Sequence, residues 1–561
     1  MLLSLLVATL AAMGELDTAL YYADRAVEVS PSSPGPRANR ARVHILARRP
    51  TEAIADLRGE LAINPSADDT RAAISQLLAS LNRLDEALAV LDDAPARAGT
   101  PGRFADARAG VLLSLGCADE ALAIHRPLLQ LDPGNPAVAE RAANAAIYAL
   151  NTSPAEIKEF ATRFGRLIST RLPVARSPFA NRPDPDRRLR IAFVSGDFRD
   201  HAIMRFFEPL ATSYDKQQLE FRCYMTMPAE DACTARVRAA VDHFENVSKL
   251  PIPALAARLR EHQIDIAVDL SGRTVGHRME CFHLRPAPVQ LTWFGQPVTS
   301  GLSALDYRIV DSCTDPVGTE SHNVERLLRL DPCGFTFAPV PESPDVQPPP
   351  SQREGSPTHG AITFGCYNNL TKMNDATFAL WARILQAVPG ATLRLRHTGF
   401  ASPGVCDQIL RRFAAQGLGT QAASRIVIHG PTDNAKLMLS EYHKVDIALD
   451  TFPYSGMTTT CEAMWMGVPV VGLAMDRSAS RYTLSILTSC GLGDLVASTP
   501  DDYVRIAVDL ASSPARLTQL RASLRNSFSA SVGDAPAFAH RFNSAMRAVW
   551  REWCAVHAAR G

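Results

Sequence analysis

Neither sign of charge prevails in this sequence: Lys and Arg together number 58, and so do Asp and Glu. That balance excludes a global field drawing in nucleic acid or anionic lipid. A basic run at Arg187, Arg188 and Arg190 precedes an apolar stretch and reads as a solvated linker. No C-x-x-C pair occurs among the 11 scattered cysteines, an odd number. This argues against a disulfide framework or a zinc site and for reduced thiols in a cytoplasm. Metal-ligand spacings are also missing. The only short Asp-x-Asp runs from Asp184 to Asp186, in a connector, and no His/Cys/Asp cluster is spaced to hold an ion. The opening MLLSLLVATLAAM lacks the positive start of a secretion signal and falls in phase with a repeat, which predicts a helix. No later apolar run is long enough to span a bilayer.

What is present is ordinary globular composition, 46% apolar and 21% charged, in a chain of 561 residues that should hold about three domains. The first of these is periodic. Ala19, Ala53, Ala87 and Ala121 recur every 34 residues, followed each time by Leu20, Ile54, Leu88 or Leu122. Pro31, Pro65 and Pro133 keep the same step, with Gly99 in the missing slot. Gly14 and Gly116 hold a turn position that Arg48 and Asn82 fill in the other copies. A 34-residue helix–turn–helix period is the tetratricopeptide signature. Small alanines let paired helices approach, and Pro ends the second helix. The stack predicts either a concave groove for an extended peptide or a brace for the following domain.

From the connector onward, short apolar runs alternate with helical patterns. LRIAFVSGDF, FRCYMTM, DIAVDLSG, VQLTWFG and DYRIVDS read as buried parallel strands, and DACTARVRAAVDHF and IPALAARLREHQI as helices. The stretch APVPESPDVQPPPSQREGSPTHG breaks the alternation, which then resumes with AITFGCY, ATLRLRH, RIVIHG, DIALD and VPVVGL as strands. The predicted organisation is tetratricopeptide repeats over 1–150, a helical and Pro-rich connector over 151–187 and a first Rossmann-like lobe over 188–338. An interlobe linker over 339–360, a nucleotide-binding lobe over 361–535 and a C-terminal helix over 536–561 complete it. Two doubly wound lobes place ligands in the crevice outside the carboxyl ends of their strands.

Two helix mouths in the second lobe carry the chemistry. Thr458, Thr459 and Thr460 follow the turn after DIALD, where unpaired N–H groups, a positive dipole end and hydroxyls suit a phosphate; a plain Thr cap is the alternative. Lys372, in the loop after FGCYNN, belongs to a neighbouring unit and could converge with Thr458 and Thr459 on one diphosphate. Glu462, one turn into its helix, is placed to accept hydrogen bonds from ribose hydroxyls. In the first lobe, GDFRDH sets His201 just behind a strand, on the rim of the crevice. A cationic Lys and helix dipoles would replace a metal ion in stabilising a departing diphosphate.

These residues together resemble the O-linked N-acetylglucosamine transferase family, which includes the plant SPINDLY-type proteins. The likeness rests on the repeats followed by VSGDFRDH, RPAPVQLTWFGQPVTSGL, FGCYNNLTKMN and DIALDTFPYSGMTTTCEAMWMGVPVV. The resemblance implies a metal-independent, inverting glycosyltransferase with two Rossmann-like lobes in the GT-B arrangement. It implies UDP-N-acetylglucosamine as donor, no cofactor, and a protein Ser or Thr hydroxyl as acceptor, met in the cytoplasm without nucleic acid or membrane. It places the catalytic histidine at His201, the diphosphate lysine at Lys372 with Asn369 before it, the phosphate threonines at Thr458 and Thr459, and the ribose acid at Glu462. The G-x-T loop falls on Gly272 and Thr274, and the sugar-side glycine on Gly295. Met457 stands where members carry His or Gly, Met438 where a histidine stacks on uracil, and Gln296 and Val298 alter the sugar-side wall. These departures leave open a SPINDLY-like fucosyl transfer from GDP-fucose, or a silent repeat scaffold.

Overall fold

A computed structural model describes residues 2–93, 102–172 and 178–558. Gly99 and part of the Pro-rich connector lie outside the described residues. The described N-terminal helices are Leu2–Ala12, Leu16–Val29, Pro36–Leu46, Pro50–Ile63, Asp68–Ser80, Leu84–Asp92, Gly102–Ser114, Ala118–Leu131, Pro136–Tyr148 and Pro154–Arg171. The repeat explains their pairing. Ala19, Ala53, Ala87 and Ala121 are fully buried where helix meets helix, and Pro31, Pro65 and Pro133 each sit two residues beyond a helix end. Gly14, Arg48, Asn82 and Gly116 share one left-handed turn, with φ of 83°, 57°, 58° and 77°. Gly adopts that conformation freely and Asn tolerates it; Arg48 holds it at a cost that the repeat's geometry imposes.

Two all-parallel sheets follow. The first runs β3-β2-β1-β4-β5-β6-β7, with β1 Leu189–Ser195, β2 Leu219–Met225, β3 His243–Asn246, β4 Ile266–Asp269, β5 Val289–Thr292, β6 Tyr307–Val310 and β7 Arg326–Arg329. The second runs β10-β9-β8-β11-β12-β13, with β8 Thr363–Cys366, β9 Thr392–Arg396, β10 Ile426–His429, β11 Ile447–Leu449, β12 Val470–Leu473 and β13 Val496–Ala497. Both lobes therefore repeat one winding, the order 3-2-1-4-5-6 of dinucleotide-binding folds. Central strands are apolar and buried on both faces, as parallel sheets covered by helices require. The helix expected over DACTARVRAAVDHF stops at Ala240, and His243 and Phe244 pass into edge strand β3.

The C-terminal helix Ala535–Ala558 leaves the second lobe and packs on the first. Phe542 lies 6.2 Å from Phe193 and 5.6 Å from Trp293, ring centre to ring centre, and the Trp550 indole donates to the Asp184 carbonyl at 2.9 Å. This overturns the solvated-linker reading of Arg187. Its guanidinium grips buried Asp265, with one N–H at 2.7 Å, and stacks 4.7 Å over Trp550. The connector therefore locks the final helix down.

The helical array braces both lobes. A Cβ on Gly116 would stand 2.3 Å from the Met373 carbonyl, so this turn of the fourth repeat seats directly against the Lys372 loop. Arg477 of the second lobe donates to the carbonyls of Ala149 and Leu150 at 2.7 and 3.2 Å and to that of Thr152. On the first lobe, a Cβ on Gly165 would meet the Gly301 carbonyl at 2.1 Å. Among the described residues no helix is long and apolar enough to cross a membrane.

Candidate active site

In each sheet the winding reverses between two neighbours, β1 and β4 in one lobe and β8 and β11 in the other. Loops leaving those neighbours diverge and open a crevice. His201 follows β1, Gly272 and Thr274 follow β4, Asn369 and Lys372 follow β8, and Met457, Thr458, Thr459 and Glu462 follow β11.

A buried aspartate organises the loop behind the fourth strand of each lobe. Asp269 accepts from Ser271 N at 3.1 Å, Gly272 N at 3.0 Å and Thr292 Oγ1 at 3.0 Å. Asp450 accepts from Gly456 N at 2.7 Å, Thr451 N at 2.8 Å, Asn368 Nδ2 at 2.9 Å and Thr483 Oγ1 at 2.5 Å. Burial pushes both carboxyl pKa values up, and the donated hydrogen bonds oppose it. Gly456 allows this cage to close, since a Cβ there would lie 2.6 Å from Thr460 Oγ1 and 3.0 Å from Asp450 Oδ1. Removing the carboxylate strands four donors, each worth about 1–3 kcal/mol when buried without a partner. Asp450→Ala is accordingly expected to cost about 3 kcal/mol or more in denaturant unfolding. A loss below about 1 kcal/mol would contradict the cage.

The three threonines divide between scaffold and mouth. Thr460 faces inward, its hydroxyl 2.9 Å from that of Thr483. Thr459 donates to Asn368 Oδ1 at 2.9 Å, which ties the mouth of helix Thr458–Trp465 to the β8 loop. Thr458, half-buried, keeps an open hydroxyl.

Lys372 ends a 3-10 turn, Leu370–Lys372, whose first N–H groups are partly satisfied by Asn369 Oδ1 accepting from Thr371 N at 3.0 Å. The ammonium does not reach the threonine hydroxyls; it donates to the Ser455 carbonyl at 2.8 Å, three residues ahead of Thr458. It also lies 3.9 Å from the ring centre of Tyr454, which packs 5.0 Å from Tyr148 of the helical array. Burial pulls its pKa down to about 8, against the charge of Asp450. Asn369 itself is exposed, and its neighbour Asn368 joins the buried network.

His201 is half-buried. Its Nδ1 accepts from Ile203 N at 3.4 Å and lies 3.8 Å from Oδ2 of Asp197, a buried oxygen with no other partner. Burial lowers its pKa, so the ring is neutral at neutral pH, while Asp197 pulls the other way. The Glu462 carboxyl group makes no hydrogen bond among the described residues, and burial raises its pKa to about 7 against the charge of Arg205 across the lobes.

Gly295 and Gln296 lie in the loop after β5. A Cβ on Gly295 would stand 2.1 Å from Gly272 N, so only glycine lets these two loops touch. Gln296 Oε1 accepts from Arg273 at 3.2 Å, and Arg273 Nε donates to Asn144 of the helical array at 3.1 Å. Gln296 and Met457, from opposite lobes, line one small cavity with Phe294 and Tyr482. Met438 is half-buried on helix Ala435–Ser440, which follows β10, two strands from β8.

Asp450, Asn368, Asp197, Tyr454 and Asn144 were not anticipated. For Asp450 there was a signal, an acid closing an apolar strand. For Asn144 there was none, because its partners lie more than a hundred residues away.

The model of glycosyl transferase family 41 matches residues 143–336 and 350–538. The chain belongs to glycosyl transferase family 41. A relative from Arabidopsis thaliana named probable UDP-N-acetylglucosamine–peptide N-acetylglucosaminyltransferase SPINDLY is 38% identical over 392 residues, 69% of this chain and 42% of its own length. Another from that plant, named probable UDP-N-acetylglucosamine–peptide N-acetylglucosaminyltransferase SEC, is 30% identical over 61% of this chain and 35% of its own length. The chain thus spans about two fifths of the length of these curated relatives. A solved structure of a Thermobaculum terrenum O-GlcNAc transferase point mutant superposes with a TM-score of 0.83 at 32% identity, over 93% of this chain and 98% of the other. The family 41 chain therefore shares that enzyme's helical array and paired lobes along nearly its whole length.

Proposed function

We propose that this chain transfers N-acetylglucosamine from UDP-N-acetylglucosamine to Ser or Thr hydroxyls of proteins, with inversion and without a metal ion. The observation that carries the reading is the placement of the two loops that follow β8 and β11, neighbouring strands at the winding reversal of the second lobe. Those loops bring the ammonium of Lys372, held on the Ser455 carbonyl, and the start of helix Thr458–Trp465 to the same end of the sheet, where a helix mouth suits a phosphate. The acceptor oxygen attacks the anomeric carbon, the bond to the diphosphate oxygen breaks, and UDP leaves with its charge held by Lys372 and Thr458. Thr459 joins them by turning its hydroxyl from Asn368. Neutral His201 takes the acceptor proton on Nε2. Shifting the ring's own proton to Nδ1 exchanges the long Ile203 contact for one to Asp197 Oδ2. Glu462 accepts from the ribose hydroxyls as a carboxylate. The names of the relatives support the donor and the peptide acceptor, and the 11 unpaired cysteines support a reducing, cytoplasmic setting. The packing of the array on both lobes supports bracing, with its concave face left to guide the acceptor.

Transfer of labelled sugar from UDP-N-acetylglucosamine to a protein acceptor tests the reading. Stabilisation by GDP-fucose instead of the uridine donor would favour the fucosyl alternative, and stabilisation by neither would favour a silent scaffold. The pH profile is a further check. Glu462, raised to about 7, gains its charge as pH climbs through that value, and Lys372, lowered to about 8, loses its charge above. The specificity constant kcat/KM is therefore expected to rise through about pH 7 and fall beyond about pH 8, with the limb near pH 7 lost in Glu462→Gln and only that of His201, lower in pH, remaining. A flat profile across that range contradicts both assignments.

A further inference from the structure

Sequence spacing gave no metal cluster, yet the fold assembles one. Edge strand β3 places His243 and Glu245 two residues apart, hence on one face, and the crossover helix Ile252–Glu261 ends on His262 beside them. Ligand atoms of His243, Glu245 and His262 all lie within 4.8 Å of one another, the one such group among the described residues. The spacing concealed it because a strand and the far end of a helix supply the ligands.

Three features distinguish this group from a chance meeting of polar side chains. His243 Nε2 and Glu245 Oε2 are both shielded from solvent and both lack a hydrogen-bond partner. They stand 3.6 Å apart, too far for a hydrogen bond but close to the roughly 3.4 Å edge of a tetrahedron with metal–ligand bonds near 2.1 Å. The outer contacts are also in place. Tyr224 OH lies 2.6 Å from His262 Nδ1, fixing that ring and leaving Nε2 as ligand, and Arg258 holds the other Glu245 oxygen at 2.6 Å. The neighbouring Arg222 is itself paired with Glu220 at 2.6 Å, and the carbonyl end of the helix favours a cation.

We propose that His243, Glu245 and His262 bind a divalent d-block cation of the Zn²⁺ class, with water as fourth ligand, on the outer edge of the first lobe. Two imidazoles and one carboxylate suit Zn²⁺ or Co²⁺ and not Mg²⁺ or Ca²⁺. The ion would clasp edge strand β3, paired on one side only, to its crossover helix. The site stands apart from the crevice and is independent of the transferase reading.

The test uses the full chain, stripped with chelator and titrated with Co²⁺. One equivalent is expected to give the intense visible absorption of four-coordinate Co²⁺, displaced by Zn²⁺, with a rise in melting temperature. His243→Ala and Glu245→Gln should abolish the band while the metal-free melting temperature holds. Tyr224→Phe, which removes only a hydroxyl, should weaken binding about 10–100-fold and remains readable if the larger changes unfold the lobe. No band in the unaltered chain, or a band unchanged in these variants, overturns the site.

Discussion

His201→Ala is expected to lower kcat about 10²–10⁴-fold, the range that a positioned proton acceptor contributes. Donor affinity should change little, because the residue meets the acceptor hydroxyl and not the diphosphate. The neutral ring follows from burial, which lowers its pKa, and the orphaned Asp197 oxygen 3.8 Å away would accept a hydrogen bond from Nδ1–H during transfer. Asp197→Asn, acting through His201, should therefore shift the acid side of the kcat profile as well as its height. Wild-type turnover in His201→Ala would remove this residue from the mechanism.

Lys372→Ala should cost about 10²–10³-fold in kcat/KM, comparable to losing one preorganised donor to a developing oxyanion, about 2.7–4 kcal/mol. Here affinity for UDP falls with turnover, since the same charge meets the ground-state diphosphate. The fold should survive. Burial works against this ammonium, as its pKa near 8 records, so removing it relieves a cost in the free protein. A melting temperature unchanged or raised, with turnover lost, separates this role from a structural one. Tyr454→Ala, which deletes the ring beneath the ammonium and its contact with Tyr148, should produce a milder version of the same loss.

Much of this architecture is written in short-range pattern. The 34-residue step marks the helices through buried alanines, and apolar runs mark the central strands because both faces of a parallel sheet are covered. Edge strands β3 and β7 escaped because HFEN and RLLR are short and polar, facing solvent on one side. The site divides in the same way. The residues proposed to meet a ligand, His201, Lys372 and Thr458, stand at strand ends and helix starts where their chemistry is visible. Residues that hold them depend on partners distant in sequence. Asp450 draws together groups from two loops and a later helix, and Asn368 becomes its link while Asn369 turns to solvent. Bracing was one of the two readings of the repeat, but the residues that make the contact were not visible in it. Gly116 looks like a turn glycine, and it is one, but its missing side chain also admits the carbonyls of the Lys372 loop.

The outer-edge site and the crevice are separable. The outer-edge cation would be removed by chelator without touching the crevice, whereas a catalytic ion would take transfer with it. Calorimetry of UDP binding in excess EDTA, on the His243→Ala chain, addresses the central claim with the outer site disabled. The account predicts a heat of 1:1 binding equal to that without chelator and greatly weakened by Lys372→Ala. Absence of binding, or its disappearance on adding EDTA, would contradict a diphosphate clamp made of an ammonium and a helix mouth.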